Sequence, residues 1–150
     1  MKLKTESKEI ETAAGQMKLI ILRPADQDAP LPGILRIHGG GYVTGMAAMV
    51  HYSCGMFLAH EFGAVVVSPE YRLATAAPYP AALDDCYAAL CWMNSHADEL
   101  NIDRTKIVVG GESAGGGLAA AVCGFHLDRL HTYPYSICAL FRSLITVRVP

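Results

Sequence analysis

The chain has 150 residues, of which 52% are hydrophobic and 17% are charged. This length and composition are typical of one globular domain with a buried core and exclude an intrinsically disordered chain. The formal net charge of -2 gives no electrostatic reason to expect nucleic acid or an anionic membrane surface as a partner.

The first half of the chain contains three segments with clear patterns. Residues 18–23 form an apolar run that predicts a strand, and residues 26–32 are rich in Asp and Pro, as in a turn. Residues 33–37 predict a second strand. Residues 46–62 have apolar side chains at helical spacing, which predicts a helix.

The second half alternates strands with helices. The short β-branched run 64–68 predicts a strand buried on both faces, and residues 81–100 predict a helix. Asp103 and Arg104 indicate a turn. The other predicted elements are a loop at 75–80, a strand at 106–110 and a helix at 114–123. This alternation predicts the α/β class, with a mostly parallel sheet and helices on both faces.

The cysteines and the N-terminus bear on location. The cysteines are odd in number and show no CxxC spacing, so we expect reduced thiols in an intracellular protein, without a zinc site or disulfide framework. They are Cys54, Cys86, Cys91, Cys123 and Cys138. The N-terminus lacks the apolar core of a signal peptide, and no run approaches the ~18 apolar residues of a membrane span. The sequence therefore predicts a cytoplasmic protein with no membrane span.

Two glycine-rich motifs follow two of the predicted strands. They are His38-Gly39-Gly40-Gly41-Tyr42 and Gly111-Glu112-Ser113-Ala114-Gly115. Ligands of parallel sheets bind at the carboxyl ends of strands, where both motifs lie. The G-x-S-x-G pattern places a serine on a sharp turn from strand to helix, which makes Ser113 a candidate nucleophile. The amide of Ala114 and the amides of the glycine loop could donate hydrogen bonds to an oxyanion.

Four segments together resemble the hormone-sensitive-lipase-like serine esterases of the α/β-hydrolase fold. The resemblance runs in order from about residue 33 to residue 122. Its segments are His38-Gly39-Gly40-Gly41-Tyr42, Glu70-Tyr71-Arg72-Leu73-Ala74, Tyr79-Pro80-Ala81-Ala82-Leu83-Asp84-Asp85 and Gly111-Glu112-Ser113-Ala114-Gly115-Gly116. The resemblance implies a carboxylic ester hydrolase that acts on short-acyl esters.

The resemblance also assigns roles to individual residues. It implies that Ser113 is the nucleophile and that the amides of Gly39, Gly40 and Ala114 form the oxyanion hole. Its substrate would be a small-molecule ester, and it implies neither a cofactor nor a metal. The residues that support the two motifs would be His38, Gly41, Gly111 and Gly115.

The chain departs from the family pattern after the nucleophile. In the family, the triad Asp or Glu and then His lie far downstream of the serine, whereas here only His126, Asp128 and His131 follow Ser113 as Asp or His residues. Either Asp128 and His131 replace the missing triad members, or all three are ordinary polar residues of the tail. His38 is a further candidate base, although the resemblance implies that it supports the oxyanion loop.

Smaller departures lie between the motifs. Thr75 and Ala76 stand where the family usually has Pro and Glu. Asp84 and Asp85 lie at a predicted helix start, where acidic residues complement the helix dipole.

Residues 124–150 are atypical for this family. They contain one acidic residue and show no clear period. Our hypothesis is that a frameshift or premature end replaced the second half of a longer esterase. Residues 1–150 would then form a single, partial α/β-hydrolase domain whose later strands are missing.

A sheet without its later strands would expose an apolar edge along residues 106–109. Such an edge invites pairing with another chain, so we expect self-association there. Residues 143–149 have strand-like composition and could cover this edge instead.

Two other functional classes are alternatives to an active esterase. The first is a catalytically inactive fragment, or a pseudoenzyme that binds small molecules without turning them over. The second, a nucleotide-binding domain, lacks support because residues 111–117 contain neither G-x-G-x-x-G nor a lysine for phosphate.

Overall fold

The computed structural model describes residues 1–130, and these begin with an antiparallel hairpin. β1 (Leu3–Thr12) and β2 (Gly15–Pro24) pair along their whole length. β2 confirms the strand predicted at 18–23. β1 is not apparent from the sequence because only Ile10 of its side chains is buried. Its charged and hydroxyl side chains suit its position at the edge of the sheet.

Three further strands confirm the other strand predictions. They are β3 (Leu31–Ile37), β4 (Val65–Pro69) and β5 (Ile102–Gly111). The turn predicted at Asp103 and Arg104 is wrong, since both residues lie within β5. The register shifts there, because Leu31 pairs with Ile102 whereas Gly33 pairs with Ile107. A β-bulge therefore carries the turn-like residues inside the strand.

The strand order in the described sheet is β1-β2-β4-β3-β5. The strands β4, β3 and β5 are parallel, as predicted, and the hairpin extends the sheet by antiparallel pairing of β2 with β4. The carboxyl ends of β3 and β5 are neighbours, so the two glycine motifs lie side by side. Within residues 1–130, the far side of β5 has no paired strand.

The helix predicted at 46–62 is two helices. A 3₁₀ helix (Ala47–Tyr52) precedes α1 (Cys54–Glu61), and Ser53 separates them. The backbone of Ser53 is extended, and its hydroxyl accepts a hydrogen bond from the amide of Gly55 at 3.4 Å. A residue that caps a helix in this way starts a new one, which explains the break.

The two later helices also differ in length from their predictions. α2 (Ala81–Ser95) ends five residues before the predicted end at 100, and turns follow it. α3 (Ala114–Leu130) extends past the predicted end at 123, so the first residues of the atypical tail are helical. Residues 131–150, which include the strand-like segment 143–149, lie outside the described residues.

The helices pack on both faces of the sheet, which confirms the α/β arrangement. α2 and α3 cover one face, whose buried core includes Leu35, Ile37, Val65, Val67 and Val109. α1 and the 3₁₀ helix cover the other face, whose smaller core includes Ile20, Leu22, Ile34 and Val66. Both faces of the central strands are therefore buried, as their continuous apolar runs predict.

Candidate active site

Ser113 lies on the turn that joins β5 to α3. Its side chain is exposed, and its backbone has φ 53, in the left-handed region that non-glycine residues rarely adopt. Ala114 begins α3, and the amide of Gly116 donates to the carbonyl of Ser113 at 2.9 Å. A serine in this conformation projects from the end of the sheet above the N-terminus of a helix.

The glycines around Ser113 are required by close packing. A Cβ added at Gly111 would lie 2.3 Å from the carbonyl carbon of Gly115. A Cβ at Gly115 would lie 2.2 Å from the carbonyl oxygen of Ile37, at the end of β3. The turn therefore packs directly on the neighbouring strand, and the predicted supporting role of these glycines has a steric basis.

The glycine loop after β3 reaches the same turn. A Cβ at Gly39 would lie 2.7 Å from the carbonyl oxygen of Glu112 and 3.4 Å from the Cβ of Ser113. Gly40 and Gly41 have φ of 119 and 62, which a glycine adopts without strain. The loop is thus folded back beside Ser113 by conformations that larger residues would resist.

His38 lies inside the protein, beneath this loop. Its ring is fully buried and stacks on Tyr71 with a centroid separation of 4.2 Å. Burial lowers the pKa of His38, so the ring is neutral at pH 7. Its Nδ1 lies 2.7 Å from the carbonyl oxygen of Gly39 and therefore carries the proton of that hydrogen bond.

Tyr71 supports the loop from the end of β4. Its hydroxyl donates to the carbonyl of His38 at 3.0 Å, and burial raises the pKa of Tyr71 so that this donor keeps its proton. The amide of Ala74 donates to the carbonyl of Tyr42 at 2.8 Å. Hydrogen bonds from the segment after β4 therefore hold both ends of the loop.

The 3₁₀ helix after the loop is tied to β4 as well. The amide of Ala47 donates to the Glu70 carboxylate at 2.9 Å, and the Ser68 hydroxyl donates to the carbonyl of Ala47 at 3.1 Å. Ser68 is fully buried. The polar residues at the end of β4 thus satisfy backbone groups that the loop leaves unpaired.

Arg36 and Glu112 are two charged residues to which the sequence patterns assign no role, although Glu112 lies within the second motif and Arg36 just before the first. Arg36 is 1% exposed, and its Nη2 lies 3.2 Å from Oε2 of Glu112. A charged residue within the apolar run of β3 is the signal that could have revealed this pair. Buried charges need a partner, and the strand order supplies one.

Asp85 has a larger role than a charge at a helix start. Its buried carboxylate accepts hydrogen bonds from Nε and Nη2 of Arg72 at 2.9 and 2.8 Å, and from the amide of Arg72 at 2.8 Å. Asp84 lies in the first turn of α2, as expected. The ion pair fixes the segment between β4 and α2.

An apolar cavity of about 360 Å³ opens beside the first turns of α3. Aromatic residues form part of its wall, and small side chains on α2 and α3 form much of the rest. The hydroxyl of Tyr42 would lie 2.6 Å from a Cβ at Gly117, so the loop and the helix meet at the wall of this cavity. Its lining residues are Tyr42, Ala74, Ala77, Tyr79, Ala82, Leu83, Gly117, Leu118 and Ala121.

His126 and Asp128 lie on α3, away from Ser113. His126 lies on α3, and its ring is 6.0 Å from that of Tyr87. The 13 residues from Ser113 to His126 correspond to about 20 Å along a helix. Asp128 is exposed on the same helix, and His131 lies outside the described residues.

No disulfide joins the described cysteines, and Cys138 lies outside the described residues. In the part of the chain that the structure describes, no three His, Cys, Asp or Glu side chains come close enough to hold a metal ion. No helix within residues 1–130 is long and apolar enough to cross a membrane. The cytoplasmic location stays a prediction.

A strained serine between a buried parallel strand and a helix, packed on a neighbouring glycine loop, is the arrangement of the α/β hydrolases. The family described as "alpha/beta hydrolase fold" matches residues 34–144 of this chain. The chain therefore belongs to this family.

Similar proteins include esterases and lipases. The chain is 42% identical to esterase LipI of Mycobacterium tuberculosis over 96 residues, which are 63% of this chain and 29% of that protein. It is 38% identical to the hormone-sensitive lipase of Mus musculus over 103 residues, covering 67% of this chain and 13% of the relative. The predicted resemblance to hormone-sensitive-lipase-like esterases is confirmed.

Solved structures give the same result. A bacterial heroin esterase superposes with a TM-score of 0.82 at 34% identity, covering 91% of this chain and 44% of the other. Esterase LipW from Mycobacterium marinum superposes with a TM-score of 0.81 at 33% identity, covering 93% and 43%. The chain thus spans less than half of the length of the proteins it matches.

Proposed function

We propose that this chain is a carboxylic ester hydrolase that uses Ser113 as its nucleophile on short-acyl esters. The observation that carries the proposal is the backbone of Ser113, held at φ 53 with an exposed side chain. Backbone strain of about 1–3 kcal/mol persists only where the surroundings impose it, and it is concentrated at functional sites. The similar proteins include an esterase and a lipase, which supports the same chemistry.

The glycine loop would stabilise the charge that this reaction develops. Attack of Ser113 Oγ on the ester carbonyl forms a tetrahedral oxyanion. The ester C–O bond then breaks, the alcohol departs with the proton of the serine hydroxyl, and water hydrolyses the acyl-enzyme that remains. We assign the amides of Gly39, Gly40 and Ala114 as the oxyanion donors. The packing of Gly39 against the turn supports this assignment. One such donor contributes about 2.7–4 kcal/mol to catalysis.

The apolar cavity beside the first turns of α3 would receive the acyl or aromatic part of the ester. The volume of the cavity, about 360 Å³, lies near the lower end of the range of about 300–1,000 Å³ that is typical of ligand pockets, so the cavity suits a small group. Its wall is apolar on both helices. The substrate class is therefore a small, uncharged ester.

The alternative function is a catalytically inactive fragment or a pseudoenzyme that binds small molecules. It is favoured by the histidines: His38 is buried with its Nδ1 bonded to Gly39, and His126 lies about 20 Å along α3 from Ser113. Within the described residues, neither histidine has a hydrogen bond to Ser113. Within residues 1–130, the site thus contains a nucleophile without a general base.

Hydrolysis of p-nitrophenyl acetate by the purified chain separates the two functions. The matched variants are Ser113→Ala and Ser95→Ala, because Ser95 is an exposed serine at the end of α2. If Ser113 is the catalytic nucleophile, we expect turnover that is lost in Ser113→Ala and kept in Ser95→Ala. Equal rates in all three proteins would support the inactive fragment.

We also propose that the chain self-associates through the side of β5 that has no paired strand within residues 1–130. This edge carries Val108, which is partly buried against the smaller core, and charged residues lie only at the bulged start of the strand. Such an edge can pair with a second copy.

Sedimentation velocity at increasing concentration tests this proposal. A Val108→Lys variant should lower the fraction of oligomers, because charges on edge strands oppose pairing. Phe62→Lys is the control, since Phe62 is an exposed apolar residue away from the edge. An equal effect of both variants would show association through exposed apolar side chains in general.

A further inference from the structure

Arg36 is a buried charge near the carboxyl end of β3. Its neighbours Leu35 and Ile37 point into the larger core, so alternation along β3 directs Arg36 to the face covered by α1 and the 3₁₀ helix. Its side chain is 1% exposed. A charge removed from water in this way destabilises the fold unless a partner compensates it.

Glu112 is the partner of Arg36. Nη2 of Arg36 lies 3.2 Å from Oε2 of Glu112, and within residues 1–130 this is the one ion pair of Arg36. The nitrogens of the guanidinium have no well-aligned hydrogen bond in the same range. The charge of Glu112 is therefore what balances the buried cation.

Glu112 also connects the pair to the turn that carries Ser113. Its other carboxylate oxygen accepts from the amide of Cys54 at 3.4 Å, at the start of α1. Its backbone carbonyl accepts from the amide of Gly115 at 2.9 Å, and Gly39 packs against that carbonyl. Three segments thus meet at the residue that precedes the proposed nucleophile.

We infer that Arg36 and Glu112 are a positioning pair, in which the buried guanidinium holds Glu112 and thereby fixes the turn that presents Ser113. The consequence for catalysis rests on the proposed function. The pair itself does not touch the ester. It acts on the conformation of the turn, which would otherwise relax from its strained backbone.

The charge state of Glu112 suits this role. Burial by itself raises the pKa of Glu112, but the hydrogen bond from Cys54 and the charge of Arg36 outweigh it, so the pKa is lowered. Glu112 is therefore ionised at neutral pH. Its side chain is 39% exposed, whereas that of Arg36 is 1% exposed.

This difference in exposure predicts an asymmetric double-mutant cycle. Glu112→Gln keeps an acceptor for Cys54 but leaves Arg36 buried without a counter-charge, so it should lower the urea midpoint of unfolding most. Arg36→Met leaves Glu112 able to reach water and should lower it less. Arg36→Met combined with Glu112→Gln should recover much of the loss, because neither charge remains.

The matched control is the pair of Arg23 and Glu6 on the hairpin, where neither side chain is fully buried. The cycle of Arg23→Met and Glu6→Gln should show weaker coupling and no asymmetry. Additive effects of the Arg36 and Glu112 substitutions would overturn the inference.

A second measurement separates positioning from stability. The folded double variant of Arg36 and Glu112 should react with a fluorophosphonate at Ser113 at least about tenfold more slowly than the unmodified chain. Labelling is followed by intact mass, with Ser113→Ala as the blank. Labelling of the double variant at the unmodified rate would overturn the inference.

Failure of the proposed function has its own signature. If the unmodified chain is labelled no faster than the Ser113→Ala blank, the nucleophile assignment fails. Hydrogen exchange at the amide of Gly115, which donates to the carbonyl of Glu112, then reports the stability of the turn directly. We expect exchange at least about tenfold faster in the double variant. An unchanged exchange rate at Gly115 would overturn the positioning role.

Discussion

Two glycines in the first turns of α3 have opposite steric surroundings. A Cβ at Gly115 would meet backbone oxygens of Ile37 and His38 at 2.2 and 2.5 Å. A Cβ at Gly117 would meet only the hydroxyl of Tyr42, at the end of a side chain that can move. The spacing of the motif does not distinguish these two cases, but the packing does.

This difference predicts opposite effects of the same substitution. Gly115→Ala should lower the free energy of unfolding by about 2–3 kcal/mol, because the strand end has no room to shift. Gly117→Ala should be neutral or stabilising by up to about 1 kcal/mol, since alanine favours a helix over glycine. Urea unfolding of both variants measures this, and equal losses would contradict the steric account.

The folded protein should be less stable with serine at position 113 than with glycine at the same position. Its φ of 53 costs a non-glycine residue about 1–2 kcal/mol. We therefore expect Ser113→Gly to raise the free energy of unfolding by about 1 kcal/mol, whereas Ser113→Ala keeps the strain and changes little. Thermal or urea unfolding of the two variants measures the difference. A Ser113→Gly variant no more stable than Ser113→Ala would show that the turn is unstrained.

At the level of elements, one ion pair joins the segment after β4 to α2. The Asp85 side chain is 4% exposed and that of Arg72 is 38% exposed. The segment that they fix contains Tyr71 and Ala74, which hold the glycine loop. Loss of the pair should therefore affect the loop as well as the helix.

The two partners should differ when they are removed singly. Arg72→Met leaves a buried carboxylate unpaired and should destabilise by about 3–5 kcal/mol. Asp85→Asn leaves the half-exposed Arg72 with its weak hydrogen bond to the carbonyl of Ala81 and with access to water, so it should cost less. Chemical unfolding of both variants tests this order, which would be reversed if Arg72 were held by contacts other than Asp85.

At the level of the whole molecule, the stability of the fold should depend on pH through buried histidine. Burial lowers the pKa of His38 below its ordinary value of 6.5, so the unfolded chain binds more protons than the folded chain as the pH falls below that value. Stability then decreases with falling pH. Burial also lowers the pKa of His126, which lies on α3.

We expect the urea midpoint of unfolding to fall between about pH 7.5 and about pH 5.5. The fall should shrink in His38→Asn, and it should shrink less in His126→Asn, because the ring of His38 is fully buried. For each variant, the quantity measured is the difference between the urea midpoint at the higher pH and the urea midpoint at the lower pH. An undiminished fall in His38→Asn would assign the effect to other groups.

The sequence predicted the strands that lead to the site but not their full extent. β4 is a continuous β-branched run, so its local pattern suffices. β1 is missing from the prediction because its side chains are mostly polar, and pairing with β2 is what makes it a strand. β5 begins earlier than its apolar run because a bulge absorbs Asp103 and Arg104.

The sequence by itself determined the two glycine motifs, the α/β class and the candidate nucleophile, because these depend on residue types at fixed local spacing. Only the tertiary structure decided the partner of Arg36, the neutral state of His38 and the role of Asp85. Arg36 meets Glu112 and His38 meets Tyr71 because β4, β3 and β5 lie side by side, and Arg72 meets Asp85 because the segment after β4 packs against α2. Burial and ion pairing are properties of that assembly, so no local pattern contains them.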